Sequence, residues 1–275
     1  MRIDAHQHFW KIDRGDYGWI TPNLSRLHRD FLPADVEPIL KKHGFDGCIV
    51  VQAAATLEET DYILSLSDQT ESILGVVGWL DLSSKEHRKH FARYRLHPKF
   101  KGIRIMIQDM PDPTIILEPN FVDALREYAA EGFPIDLLLK HEQMQCALKL
   151  IQQIPTLRGV IDHLAKPPIH EGTQEPWARY LAEMSEYPGI YCKLSGMVTE
   201  AGQVWRRENF VPYVRKVVEL FGPERVLFGS DWPVCLLAAE YDQVMLILLD
   251  ALPEQWGDIE RQRLFGLNAK EFYKL

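Results

Sequence analysis

Eight short apolar runs rich in β-forming residues recur along this chain: Arg2–His8, Asp46–Ala53, Ile73–Asp81, Phe100–Met106, Pro134–Lys140, Arg158–Ala165, Ile190–Gly196 and Val226–Asp231. Segments with helical spacing lie between them. In Phe121–Glu131, the residues Phe121, Leu125 and Tyr128 share a face, with Asn120 as the expected N-cap and Gly132 as the C′ residue. Phe210–Phe221 puts Val214, Val217, Val218 and Phe221 on one side before Gly222, and Glu142–Gln153 and Glu175–Glu186 follow the same logic. Strands and helices that alternate without a linker or a composition break describe βα units around a parallel sheet. Eight units in 275 residues predict a single-domain (β/α)8 TIM barrel, for which about 250 residues is usual. An open doubly wound sheet is the competing fold. It would want a Gly-x-Gly-x-x-Gly turn after the first strand, and none follows here.

Composition narrows the partners. With 46% hydrophobic and 25% charged residues the chain is globular, which excludes disorder, coiled coil and collagen. The 39 acidic residues outweigh 31 Lys and Arg for a net charge of −8, and the basic residues are scattered, which argues against nucleic acid and anionic membrane. There is no basic, apolar leader at the start and no run approaching the roughly 18 to 20 apolar residues of a membrane span, so a soluble cytoplasmic protein is expected. Cys48, Cys146, Cys192 and Cys235 lie far apart in or beside apolar segments and read as reduced, mostly buried thiols. A homo-oligomer is compatible with all of this.

In a (β/α)8 barrel the chemistry gathers at the C-terminal ends of the strands. The first run ends His6-Gln7-His8, and residues two apart on a strand point to one side, so both imidazoles can face the mouth. The sixth closes on Asp162-His163 with Lys166 three residues beyond, and the eighth on Gly229-Ser230-Asp231-Trp232-Pro233. Singly these have ordinary explanations: His163 as a hydrogen-bonded core histidine, Asp231 as a helix cap or turn carboxylate. Together, three imidazoles and a carboxylate are costly to bury unless they pair or bind something. Arg104, in an otherwise apolar fourth strand, is either an anion clamp or the partner of a nearby carboxylate. Lys140 and His141 close the fifth strand, Lys193 and Asp136 read as a mid-strand ion pair, and Gln52 and Trp79 either line the mouth or fill it. Trp232, next to Asp231, is expected to wall the pocket with an apolar face. Arg104, Lys140 and Lys166 would give the mouth a local positive charge that the net sum conceals.

The segments Ile3-Asp4-Ala5-His6-Gln7-His8-Phe9-Trp10, Asp162-His163-Leu164-Ala165-Lys166-Pro167-Pro168, Cys192-Lys193-Leu194-Ser195-Gly196 and Phe228-Gly229-Ser230-Asp231-Trp232-Pro233-Val234-Cys235 carry a resemblance. In these motifs and their order, from Ile3 to the closing Asn268-Ala269-Lys270-Glu271-Phe272-Tyr273, the chain resembles the sugar-lactone hydrolase branch of the amidohydrolase superfamily. That branch includes fuconolactonase-like and rhamnonolactonase-like enzymes, with pyrone-dicarboxylate lactonases more distant. The resemblance implies a (β/α)8 barrel that opens a sugar lactone to the hydroxy acid, with His6, His8, His163 and Asp231 at the family's strand-end positions. It places Lys166 where pyrone-dicarboxylate relatives carry a basic clamp, and Gln108-Asp109 also fits the lactonase pattern. The chain departs from metal-dependent relatives on strand five, where His141 is one step out of phase, and on strand four, where Arg104 stands in place of a bridging lysine. A binuclear centre is not expected. At most one divalent ion, such as zinc, would sit at His6, His8 and Asp231, with His163 as a further candidate ligand, and no cofactor is required. Ile105 also departs from the polar residue related lactonases often carry after the arginine.

The expected mechanism is direct attack of water on a lactone carbonyl, with Asp231 as a base of raised pKa, and His6, His8 and His163 polarising the carbonyl. Arg104, Lys140, Lys166 and Trp232 would hold the substrate. Ser195 and Ser230 lack a nucleophile-elbow motif, so no covalent nucleophile is expected. The rivals are a metal-dependent decarboxylase or amide hydrolase of the same superfamily, and a non-catalytic barrel that binds a sugar acid.

Overall fold

A computed structural model describes residues 1–202 and 204–275. Its strands are β1 (Ile3–Gln7), β2 (Gly47–Val51), β3 (Ile73–Gly78), β4 (Phe100–Met106), β5 (Ile135–Leu138), β6 (Gly159–Ile161), β7 (Ile190–Leu194) and β8 (Val226–Phe228). They pair in parallel in sequence order. Closure between β8 and β1 uses residues just past β8: His8 N–H donates to the Trp232 carbonyl at 2.8 Å and Asp231 N–H to the His6 carbonyl at 2.9 Å. The (β/α)8 barrel is therefore the observed fold, and all eight runs contain a strand.

The helices are α1 (Pro33–Lys42), α2 (Leu57–Asp68), α3 (His87–Tyr94), α4 (Pro119–Ala130), α5 (Met144–Gln153), α6 (Trp177–Ser185), α7 (Val211–Phe221), α8 (Tyr241–Ala251), α9 (Asp258–Gln262) and α10 (Asn268–Tyr273). Their apolar stripes build the main core against the outer face of the barrel. One expected cap moves: Glu118, with extended φ and ψ, precedes α4 and Pro119 takes its first turn, so Asn120 is inside the helix. Gly132 does follow in the left-handed region at φ 60°. The cysteines are free, three of them buried and Cys146 half-buried. No described helix is long and apolar enough to cross a membrane.

Inside the barrel the side chains form storeys. The lowest is apolar, with Ile3, Ala5, Ile49, Val51, Val77, Val160 and Leu227 packed on Ala269, Phe272 and Tyr273 of α10, which seals that end. Above it lies a buried charged storey of Arg104, Asp136, Asp162 and Lys193. The Lys193 ammonium pairs with Asp136, as the sequence suggested, and also stands 3.0 Å from Asp162 Oδ1. Tyr273 donates to both Asp136 oxygens at 2.9 and 3.0 Å, tying this storey to the seal below.

Candidate active site

The uppermost storey holds the titratable strand-end residues. The pairing of β1 shifts register between Asp4 and Gln7, so Ala5 packs in the lumen and the next residue, His6, also turns inward to Lys193 and Asp162. His8 follows, its Nδ1 donating to the Val51 carbonyl at 2.7 Å and its Nε2 3.3 Å from Asp231 Oδ1. His6 Nε2 and His163 Nε2 approach the same Oδ1 at 3.8 and 4.0 Å. The structure thus brings His6, His8, His163 and Asp231 together around a single carboxylate oxygen.

Backbone geometry aims two of these groups. His163, Leu164, Ala165 and Lys166 all have φ between 50° and 60°, a left-handed turn made without glycine, and Asp231 has φ 58°. Such conformations cost about 1–2 kcal/mol per residue and persist only where surroundings enforce them. Here Lys166 N–H donates to the His163 carbonyl at 2.7 Å, Trp177 Nε1 donates to the Leu164 carbonyl at 2.6 Å, and His141 Nδ1 donates to the Lys166 carbonyl at 3.0 Å. His141 is therefore an anchor of the turn. Asp4 does the same service under Asp231: its carboxylate accepts from Ser230 N–H at 2.8 Å, Gln7 Nε2 at 2.7 Å and Tyr241 OH at 3.0 Å.

Electrostatics sets the protonation states. Burial would raise the Asp231 carboxyl, but His163, His8 and Lys166 outweigh it and hold it below the usual carboxylate range. This reverses the raised pKa expected from sequence, because the imidazoles and Lys166 surround the group that burial alone would neutralise. Burial is also the largest effect on Asp162, and Lys193, His6 and His163 overcome it to leave an ionised carboxylate. Burial pushes both His163 and His6 well below their ordinary range, with Lys193 adding to the effect on His6. Lys193 Nζ stands 3.1 Å from His6 Nδ1 and Arg104 Nη1 3.4 Å from His6 Nε2, so each nitrogen of the neutral ring faces a cationic donor.

A cavity of about 350 Å³ opens over this cluster. Arg104, His8, His163 and Asp231 line its depth, with Lys166, Glu200, Gln108, Asp109 and Trp19 among its walls. Arg104 reaches the cavity and also partners a carboxylate: its Nη1 lies 3.6 Å from Asp162 Oδ2, while Nη2 donates to the Gln52 carbonyl.

Two expected wall residues are elsewhere. Lys140 is exposed and outside the lining, because β5 ends at Leu138 and a short turn over His141–Gln143 carries the chain away. Trp232 is buried outside the cavity, its ring edge-on to Phe9 and Phe31 at centroid distances of 5.9 and 5.3 Å. It packs the β1–β8 seam while Trp19, which sequence reasoning missed, takes the exposed position at the mouth. Gln52 and Trp79 also stay outside the lining. The positive mouth is likewise corrected: Lys166 stands 3.8 Å from Glu200, and the lining carries Arg104 and Lys166 against Asp109, Glu200 and Asp231. Glu200 and Trp19 sit on loops with no motif of their own, so no sequence signal marked them.

For a metal, His6, His163 and Asp231 each offer a ligand atom, all within 4.8 Å of one another. Two imidazoles and a carboxylate are a suitable donor set for zinc with water in the fourth position. His8, expected in the set, stands outside that group although it touches Asp231.

Fold and site define a class, (β/α)8 hydrolases that converge imidazoles and a carboxylate at the C-terminal mouth of the barrel. The chain belongs to the amidohydrolase family, whose model matches residues 3–275. It is 39% identical to an L-fucono-1,5-lactonase of Burkholderia ambifaria, covering 100% of this chain and 96% of that protein. A second L-fucono-1,5-lactonase, from Burkholderia multivorans, is 34% identical over 100% of this chain and 96% of its own length. Among solved structures, a Burkholderia multivorans amidohydrolase with bound zinc superposes with TM-score 0.95 at 33% identity, covering 100% of this chain and 99% of that one.

Proposed function

We propose that the protein hydrolyses a sugar-derived lactone to its open hydroxy acid. The observation that carries this reading is the convergence of His6, His8 and His163 on one oxygen of ionised Asp231 at the floor of a cavity sized for a small ring. Its likeness over the full chain to two lactonases supports the same chemistry.

In the mechanism, a water held at Asp231 gives its proton to that carboxylate while the water oxygen bonds to the lactone carbonyl carbon. The carbonyl electrons move to oxygen, and this oxyanion is held by the Arg104 guanidinium together with the imidazoles of His163 and His6. Preorganised donors of this kind are worth about 3–4 kcal/mol each. The ring C–O bond then breaks, and protonated Asp231 returns its proton to the departing alkoxide. The product acid ionises, releasing one proton to solvent per ring opened. The low pKa of Asp231 keeps it ionised and ready, at some cost in basicity.

A divalent ion, if bound, would be held by His6, His163 and Asp231 and would supply Lewis-acid polarisation of the carbonyl. The steps above use only water and the protein's own side chains.

The test is a pH-indicator assay over five- and six-membered aldonolactones, with and without chelator, on wild type and Asp231→Asn. Wild type is expected to turn over a lactone with or without chelator, and the folded variant to lose at least about a hundredfold in kcat. Retained turnover in folded Asp231→Asn would exclude this mechanism, and a silent wild type would exclude lactonase activity.

A further inference from the structure

We propose that Glu200 sets the charge class of the substrate: with Lys166 it forms a wall that reads sugar hydroxyls and turns away lactones carrying a carboxylate. The inference rests on the lactonase reading of the cavity and goes beyond it in naming what selects the ring.

Both residues line the cavity, with their side chains about a quarter exposed, and Lys166 Nζ lies 3.8 Å from Glu200 Oε1. That separation is loose for a direct ion pair and leaves both heads with free bonding capacity. A hydroxyl seated against the pair accepts from the ammonium and donates to the carboxylate, satisfying both with one group. A carboxylate on the ligand has only acceptors. It would meet Lys166 but place like charge against Glu200, and the rest of the lining does not rescue it. Arg104 lies deep in the cavity, tied to Asp162 and the Gln52 carbonyl and turned to the reacting carbonyl, while Asp109 and Asp231 add negative charge. A site discriminates as much through such repulsion as through attraction.

Each member of the pair is held in place. Lys166 ends the left-handed turn that begins at His163, so the hydroxyl-reading ammonium and the deep imidazole are parts of one rigid segment. Glu200 closes the short helical turn Val198–Glu200 that follows β7, and Thr199 Oγ1, which donates to the Gly196 carbonyl at 2.9 Å, lies 3.2 Å from Glu200 Oε1. Gly196 in turn packs on His163. Glu200 is thereby a specificity residue placed by the same loop that shapes the reacting end.

The experiment compares wild type, Glu200→Gln and the double variant Glu200→Gln/Lys166→Met on a neutral aldonolactone and on a γ-lactone bearing a free carboxymethyl group. Glu200→Gln is isosteric and on a half-buried wall, so thermal melting controls for its folding. For this variant the ratio of kcat/KM, carboxylated over neutral, is expected to rise about a hundredfold, with the loss on the neutral substrate appearing in KM. Adding Lys166→Met is expected to abolish the gain on the carboxylated substrate, since the ammonium supplies it. An unmoved ratio in folded Glu200→Gln, or a gain that survives loss of Lys166, overturns the proposal while leaving the lactonase reading intact. A wild type silent on both substrates overturns the lactonase reading and this proposal with it.

Discussion

The placement of His163 depends on a side chain that is missing. Gly196 has φ 58°, and a Cβ there would fall 2.4 Å from His163 Nδ1 and 2.6 Å from its Cγ. Gly229 makes the same room for His6, whose Cβ would lie 2.5 Å away. Gly196→Ala is therefore expected to push the imidazole off its Ser195 hydrogen bond, 2.9 Å in the native structure, and to lower kcat by about a hundredfold with little change in KM. Steady-state kinetics on the folded variant checks this, and an unchanged kcat would mean that the ring position is not critical. The residues around Asp231 were legible in the sequence because a polar group ending an apolar strand stands out at once. Lys140 and Trp232 misled for the same reason: adjacency to a strand end says nothing about which way the chain turns next. Glu200 and Trp19 announced nothing, since their roles come from loops that only the folded barrel brings over the mouth.

At the scale of elements, every strand was recognisable, and Phe100–Met106 is β4 to the residue, but most of the C-terminal ends were not. The runs Arg158–Ala165 and Val226–Asp231 overshoot β6 and β8, which stop at Ile161 and Phe228. The apolar pattern continues through residues that have left the ladder and turned left-handed, a conformation that composition without glycine does not betray. The loop after β2 illustrates a second hidden dependence. Glu59, in the first turn of α2 and fully buried, accepts from Ala53 N–H at 2.9 Å, and the Ala53 carbonyl accepts from Trp19 Nε1 at 2.9 Å. Burial raises the Glu59 carboxyl to about 8, against an ordinary value of 4.5. A carboxyl whose folded pKa lies above its unfolded one stabilises the fold while protonated. That contribution is complete below about pH 4.5 and is lost as pH rises through about 8. Melting curves are expected to show Tm falling across this window in wild type and a clearly shallower fall in Glu59→Gln. Parallel curves for the two proteins would refute it.

For the whole molecule, eight alternating strand–helix units without a Gly-x-Gly-x-x-Gly turn pointed to a barrel, and the barrel sets the site at one end, since α10 closes the other through Tyr273 and the charged storey above it. What the linear charge count could not show was its distribution. The chain carries −8 overall, and the cavity wall, read from sequence as basic, sets two cations against three carboxylates. The proposed reaction changes the sign of this environment's meaning midway. A neutral ring enters without electrostatic penalty, whereas the open acid is an anion inside an acidic wall on an acidic protein. Hydrolysis would then evict its own product, and the inhibition constant of the hydroxy acid should be weak in dilute buffer and tighten as salt screens the repulsion. Product-inhibition kinetics at about 0.01 and 0.15 M ionic strength reads this directly, and inhibition that weakens with salt would show an attractive mouth instead. On this view the acidic lining acts as a one-way valve, passive toward what arrives and repellent toward what the chemistry leaves behind.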